Sequence, residues 1–176
     1  MRGAGLSLAL TLAGTPAVAA PPEAGLPAGV LDAIPAEAAT VEIDLQGAML
    51  RLVAAATGSD DPEFAALVRG LDRIQVRFAE SVEGDSAPLL TAFEAAGESL
   101  RRAGWSQQVS VREGEERVLM FGREEAGRLI GLTVLFLEED EAGVIYLEGE
   151  VDPDRLGLLT RGLDLPDLGL EPEDRP

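Results

Sequence analysis

The run Leu129–Leu137 (LIGLTVLFL) constrains the fold of this chain more than any other stretch. It is apolar at both sets of alternating positions and too short to span a bilayer, for which about 20 apolar residues are needed. A strand that is apolar on both faces has to be buried on both. We therefore predict a central strand here, covered on one side by helices and on the other by a further layer or by a partner.

The other strand predictions come mainly from residues that alternate between apolar and polar character. In the first of these stretches, Val41, Ile43 and Leu45 alternate with Glu42 and Asp44. Turn-forming residues, often Glu-Gly, separate the strands in the second half of the chain. Strands are predicted at Thr40–Leu45, Arg73–Phe78, Trp105–Val111, Arg117–Gly122, Arg128–Leu137 and Val144–Val151.

Helices are predicted where apolar residues recur at i, i+3, i+4 and i+7. The spacing places them between Met49 and Gly58, between Asp61 and Leu71, and between Ser86 and Gly104. Asp152-Pro153 begins a last helix, which bears Leu156, Leu159 and Leu163. The order β-α-α-β-α-β-β-β-β-α predicts an α+β fold: a single, mainly antiparallel sheet of about five to six strands with helices packed on one face.

The N-terminus has the pattern of a secretory signal peptide. Met1-Arg2 is followed by the apolar Leu6–Ala13, and Ala17-Val18-Ala19 is a small-x-small cleavage pattern. We predict cleavage after Ala19 and a periplasmic or secreted protein; an ordinary N-terminal helix is the alternative. The remaining divisions are a Pro/Ala-rich linker or arm at 20–40, an α+β domain at 41–163, and an acidic Pro-rich tail at 164–176.

Composition excludes several kinds of chemistry. Fourteen basic residues, all Arg, stand against 32 acidic ones, and the formal charge is -18. This charge repels nucleic acids and anionic lipid surfaces. Cys, His, Lys and Asn are all absent, so zinc sites, disulfides, Schiff bases and His-based triads are excluded. We expect no cofactor, no bound metal and no enzymatic activity.

Two explanations of the acidic composition stay open. A GC-rich genome accounts for the missing Lys and Asn, whose codons are AT-rich. It does not account for the excess of carboxylates, for which adaptation to salt is the alternative, because salt screens the repulsion between like charges.

Three groups of carboxylates are candidate sites, each with a simpler explanation. Glu138–Glu141 has the oxygen ligands that Ca²⁺ prefers, but it lacks the spacing of a calcium loop and also suits a charged turn. Asp152-Pro153-Asp154 is either a ligand pair or a helix cap. Asp44, Glu148 and Glu150 lie near strand ends and include possible acid–base pairs of the type used in glycoside hydrolysis, although such pairs arise by chance in so acidic a chain.

The arginines and the single Trp are the other candidates. Arg73 and Arg77 project from the polar face of one strand, and Arg112 and Arg117 flank a hairpin. Together they predict either a basic stripe for an acidic ligand or ordinary surface ion pairs. Trp105 is either a ligand platform or, more simply, a packing residue.

Five segments share features with one known family: Leu71–Val76, Gly104-Trp105, Val111–Glu115, Gly127–Leu135 and Leu147–Asp152. Together they resemble a bacterial family, domain of unknown function 4252. The resemblance covers roughly residues 41–159 and implies one exported α+β domain, since members are typically exported or lipid-anchored envelope proteins. It offers no catalytic residues, and the chain lacks the lipid-attachment Cys of some relatives.

These observations predict an exported, soluble envelope protein that is a non-catalytic binding or accessory domain. An accessory role in the sensing of envelope stress is one option. Its partner would be a protein or small ligand of the envelope, bound at an uncovered sheet face around Leu129–Leu137. No membrane span is expected. A carboxylate-based hydrolase, a calcium-stabilised module and a homo-oligomer are the alternatives.

Overall fold

The computed structural model describes residues 25–80, 86–138 and 141–152. In this part of the chain, six strands, three α-helices and one 3₁₀ turn are present. The strands are β1 (Val41–Gln46), β2 (Leu71–Ala79), β3 (Ser106–Glu113), β4 (Glu116–Glu125), β5 (Arg128–Glu138) and β6 (Glu141–Gly149). The helices are α1 (Ala48–Thr57), α2 (Pro62–Gly70) and α3 (Ala87–Arg102), and the 3₁₀ turn is Leu31–Ala33.

All six strands form one antiparallel sheet in the order β1-β2-β6-β5-β4-β3. The α+β class, the strand count and the order of the elements up to β6 are confirmed as predicted from the sequence. β5 pairs with β4 and β6 and is an interior strand, as its two apolar faces indicate. The predicted signal peptide, the helix after Asp152 and the acidic tail lie outside the described residues.

The helices lie on both faces of the sheet, which departs from the expectation that they share one face. α1 and α2 pack on the face that carries Leu132, Val134 and Phe136. α3 packs on the opposite face, which carries Leu135 and Leu137. Both faces of β5 need cover, and the connection from β1 to β2 crosses one face while the connection from β2 to β3 crosses the other. α3 is therefore the further layer that the apolar run requires.

Local sequence signals explain where elements begin and how closely they pack. The Asp61 carboxylate accepts a hydrogen bond of 2.9 Å from the Phe64 N–H, and Pro62 occupies the first turn of α2, as the sequence predicts. Gly131 provides room for an aromatic ring, since a Cβ there would lie 2.7 Å from the ring of Trp105. The glycine thus lets the indole lie directly on the sheet.

The segment before β1, which the sequence marks as a linker or loosely docked arm, lies against the α3 face. Val30, Ala33 and Ile34 are buried there with residues of α3 and the sheet. The 3₁₀ turn Leu31–Ala33 is the short apolar turn of this segment. We call residues 25–39 the arm.

Candidate functional site

A polar cluster occupies β1, β2 and β6 on the α3 face of the sheet. The Arg73 guanidinium donates two hydrogen bonds to the Asp44 carboxylate, at 2.6 and 3.0 Å, and Gln75 donates a third at 3.2 Å. The Arg73 hydrogen bond holds the pKa of Asp44 below its ordinary value. Asp44 is therefore ionised at neutral pH and is poorly suited to act as a general acid.

The three carboxylates that the sequence marks as possible catalytic pairs do not meet as one group. Glu148 lies directly opposite Arg73 on the neighbouring strand, so it shares the cluster with Asp44. Glu148 also pairs with Arg123 at 3.6 Å, while Glu150 pairs with Arg128 at the same distance. Each of the three carboxylates thus has an arginine partner, and this arrangement favours ion pairing over acid–base chemistry.

Tyr146 and Trp105 lie at the buried end of this cluster. Their ring centroids are 6.1 Å apart, and the Arg123 guanidinium lies 5.3 Å from the centre of the indole. The Tyr146 hydroxyl lies beside the Glu148 carboxylate but does not meet the geometry of a hydrogen bond with it. Burial, and then the Glu148 carboxylate, raise the pKa of Tyr146. Since both rings are buried, Trp105 packs the core and is not an exposed ligand platform.

Arg77 has a role that sequence reasoning missed: it holds the arm on the sheet. Its side chain is buried, and its guanidinium donates to the Asp32 carboxylate at 3.0 Å, the Ile34 carbonyl at 3.2 Å and the Glu42 carboxylate at 2.9 Å. The pattern of β2 indicates only that Arg77 shares a face with Arg73. No local signal connects it to residues more than 40 positions away.

The four candidate arginines do not form one basic stripe, which leaves the alternative that the sequence also offers, ordinary ion pairs. Arg73 and Arg77 lie on β2 and pair with carboxylates. Arg112 and Arg117 face each other across β3 and β4, beyond β6 and β5. They line a groove of about 490 Å³ between α3 and this end of the sheet, together with Glu94, Glu98 and Arg101. Arginines and carboxylates are thus mixed at both places.

The acidic turn and the helix cap can be placed only in part. Glu138 and Glu141 lie opposite each other at the end of the β5–β6 hairpin. Residues 139 and 140 lie outside the described residues. Asp152 is described but Asp154 is not. Within the described ranges, no group of three or more acidic residues is arranged to hold a metal ion.

The uncovered apolar face expected around Leu129–Leu137 is not present there. Among the described residues, the exposed large apolar side chains are instead Val109 and Val111 on β3, Met49 and Leu52 on α1, and Val41 on β1. Residues Leu132–Leu137 are buried between the two helix layers. β3, by contrast, is exposed at all eight residues, and Val109 and Val111 are 38% and 47% exposed. We call these two valines the edge patch. They lie on the α1/α2 face, because Val109 continues the row of Met120 and Val134.

A second group of apolar side chains lies next to the edge patch on the same face. Val118 and Met120 on β4 and Leu129 on β5 are half-buried and pack against the core under α1 and α2. We call these three residues the inner patch. α1 and α2 lie on this same face but contact mainly β1 and β2, near the opposite edge of the sheet.

One further groove, of about 490 Å³, lies between the arm and the N-terminal half of α3. Its walls are mostly apolar, with Asp32 and Glu80 among the lining residues. Residues 81–85, which connect β2 to α3, lie outside the described residues. Among the described helices, none is both long enough and apolar enough to cross a membrane.

The fold is an α+β domain with one six-stranded antiparallel sheet between two layers of helix. Its surface features are ion-paired polar residues and two exposed valines on the edge strand β3. A family model described as domain of unknown function (DUF4252) matches residues 36–159. The match covers well over half of the chain, so the chain belongs to this family, as the resemblance in its strands and turns predicts. No curated protein and no solved structure gives a significant match to the chain.

Proposed function

We propose that this protein is an exported, non-catalytic binding domain of the cell envelope that takes a protein partner on strand β3. The observation that carries the proposal is the edge of the sheet formed by β3, which is one of its two edge strands. β3 pairs with β4 on one side, while no strand of the described residues pairs with its other side. Its backbone N–H and C=O groups on that side are open to a partner.

Edge strands of soluble proteins are usually short, charged, bulged or covered, because an open edge is a template for pairing with another chain. β3 has one register shift, between Gln107 and Val109, and two charged residues, Arg112 and Glu113, at its end. The segment from Val109 to Val111 between them is regular and uncharged. Val109 and Val111 are two positions apart and therefore project to the same side of the strand. An extended segment added to this edge would gain backbone hydrogen bonds, and its alternate side chains would meet the edge patch.

The geometry favours a protein partner over a small ligand at this place. An edge of eight residues is about 27 Å long, a length that suits an extended peptide. Small ligands are instead usually bound in concave pockets. The net charge of -18 favours a partner segment of basic character. Sensing of envelope stress is one physiological setting for such a domain.

The competing functions receive less support. A carboxylate-based hydrolase needs one carboxyl group with a raised pKa, whereas the pKa of Asp44 is lowered. No arrangement of the described acidic residues favours a calcium-stabilised module.

The test is capture from envelope extract by the mature chain, compared with two single lysine variants. Val111→Lys places a charge on the edge patch. Leu52→Lys is the matched control, because Leu52 is 60% exposed on α1, away from β3. We expect a protein to be captured equally by the parent chain and by Leu52→Lys, and at least tenfold less by Val111→Lys. Equal capture by all three chains, or no capture by the parent chain, would overturn the proposal.

A further inference from the structure

A cavity of about 590 Å³ lies between α1 and the C-terminal end of α2, far from the edge strand β3. Its buried lining residues are apolar: Leu50 and Ala54 on α1, Val68 on α2 and Leu71 at the start of β2. We call these four residues the floor of the cavity. Each of them is at most 5% exposed, so the floor belongs to the core. The volume is in the range of cavities that bind small molecules.

Two exposed arginines line the same cavity, Arg51 on α1 and Arg69 on α2. The Arg69 guanidinium reaches across to the end of α1, where its Nη2 atom would lie 3.3 Å from a Cβ at Gly58. Arg51 lies one helical turn before Ala55, which also lines the cavity. Each of the two helices thus contributes one cationic side chain beside the apolar floor.

Neither of these arginines forms an ion pair within the part of the chain that the structure describes, although acidic residues outnumber arginines 32 to 14. Five other arginines do have a carboxylate oxygen within 3.6 Å: Arg73, Arg77, Arg101, Arg123 and Arg128. Asp72 also lines the cavity. The described lining therefore combines two guanidinium groups with one carboxylate, a formal excess of one positive charge on a molecule whose net charge is -18.

We propose that this cavity binds an unbranched aliphatic monocarboxylate, that is, a fatty acid of short to medium chain length. The carboxylate accepts hydrogen bonds from the Arg51 and Arg69 guanidinium groups, and the hydrocarbon chain lies on the floor, where it is removed from water. A doubly charged phosphate group suits the cavity less well, because Asp72 and the net charge oppose a second negative charge. A peptide also suits it less well, because its amide groups would lack partners over an apolar floor.

The first test is titration of octanoate into the mature chain, followed by isothermal titration calorimetry. We expect saturable binding to the parent chain and at least fivefold weaker binding to Arg51→Gln and to Arg69→Gln. Arg102→Gln is the matched control, because Arg102 is also an exposed arginine in the last turn of a helix, and its loss changes the net charge equally. The control should change the affinity less than twofold. An equal loss in all three variants, or no saturable binding to the parent chain, would overturn the proposal.

The second test separates the two parts of the ligand and locates the site. Acetate, which lacks the chain, and octanamide, which lacks the charge, should each bind at least tenfold more weakly than octanoate. Ala55→Glu places a carboxylate in the lining and should weaken octanoate binding at least tenfold, whereas Ala56→Glu, on an exposed residue of α1 outside the lining, should change it less than threefold. Equal affinities for acetate and octanoate, or equal effects of the two glutamates, would contradict the proposal. Because these variants leave Val109 and Val111 unchanged, the outcome is independent of the partner-binding test on β3.

Discussion

Tyr146 is a single buried residue that we expect to determine how the stability of this chain depends on alkaline pH. The tyrosine hydroxyl is enclosed beside the Glu148 carboxylate, so that burial and the neighbouring charge both favour its neutral form. It is also the only Tyr, and the chain contains neither Lys nor Cys. Between about pH 9 and 12 no other side chain has an ordinary pKa in the titration range. The alkaline stability of the protein therefore reports on one hydroxyl group.

We predict that the free energy of unfolding falls above pH 10 and that Tyr146→Phe abolishes this fall. The folded-state pKa is raised above the ordinary value of 10.0, so the contribution is fully present below pH 10 and is lost as pH rises towards the folded pKa. The expected slope is about 1.4 kcal/mol per pH unit, the value for one proton. Urea unfolding of both chains from pH 8 to 12 measures it. A parallel fall in the two chains would show that Tyr146 is not the titrating group.

At the scale of elements, local patterns predicted the strands and helices well but not their places in space. The cap at Asp61 and the alternation in β2 depend on neighbours within a few residues, so the sequence contains these signals. The face occupied by α3 depends on which side of the sheet the chain crosses after β2, for which apolar spacing contains no signal. The exposure of β3 was missed for the same reason, since Val109 and Val111 alternate as in a half-buried strand.

The arm is the element most dependent on a contact that the sequence could not reveal. We predict that Arg77→Met destabilises the protein by about 2 kcal/mol, because the Ile34 carbonyl and two carboxylates lose a donor. Hydrogen exchange of the Val30 and Ala33 amides should accelerate. Arg73→Met is the matched control on the same strand, because the Arg73 side chain is 34% exposed against 9% for Arg77, and surface pairs contribute about 1 kcal/mol or less. Equal acceleration of the arm amides in both variants would contradict the role assigned to Arg77.

The negative net charge of the molecule affects its stability as a whole. With 32 acidic residues against 14 arginines, most carboxylates have no arginine to pair with, and their mutual repulsion opposes the compact state. Some lie directly opposite one another, as Glu113 and Glu116 do at the β3–β4 hairpin. Three of the arginines make contacts that fix structure: Arg73 at Asp44, Arg77 at the arm and Arg123 beside Trp105. Stability should therefore depend on ionic strength more than the local ion pairs alone would suggest.

We predict that the melting temperature rises with added NaCl, and the shape of the rise tests whether the acidic composition is an adaptation to salt. The Debye length falls to about 10 Å at 0.1 M salt and to about 3 Å at 1 M. Screening of ordinary surface repulsion should thus be largely complete by a few tenths of a molar, whereas adaptation to salt predicts a rise that continues into the molar range. Replacing Glu113 and Glu115 by Gln should raise the melting temperature at low salt and reduce its salt dependence, since both residues are exposed in the described hairpin. A melting temperature that stays constant or falls as salt is added would show that the arginine ion pairs, which salt weakens, outweigh the repulsion among the carboxylates.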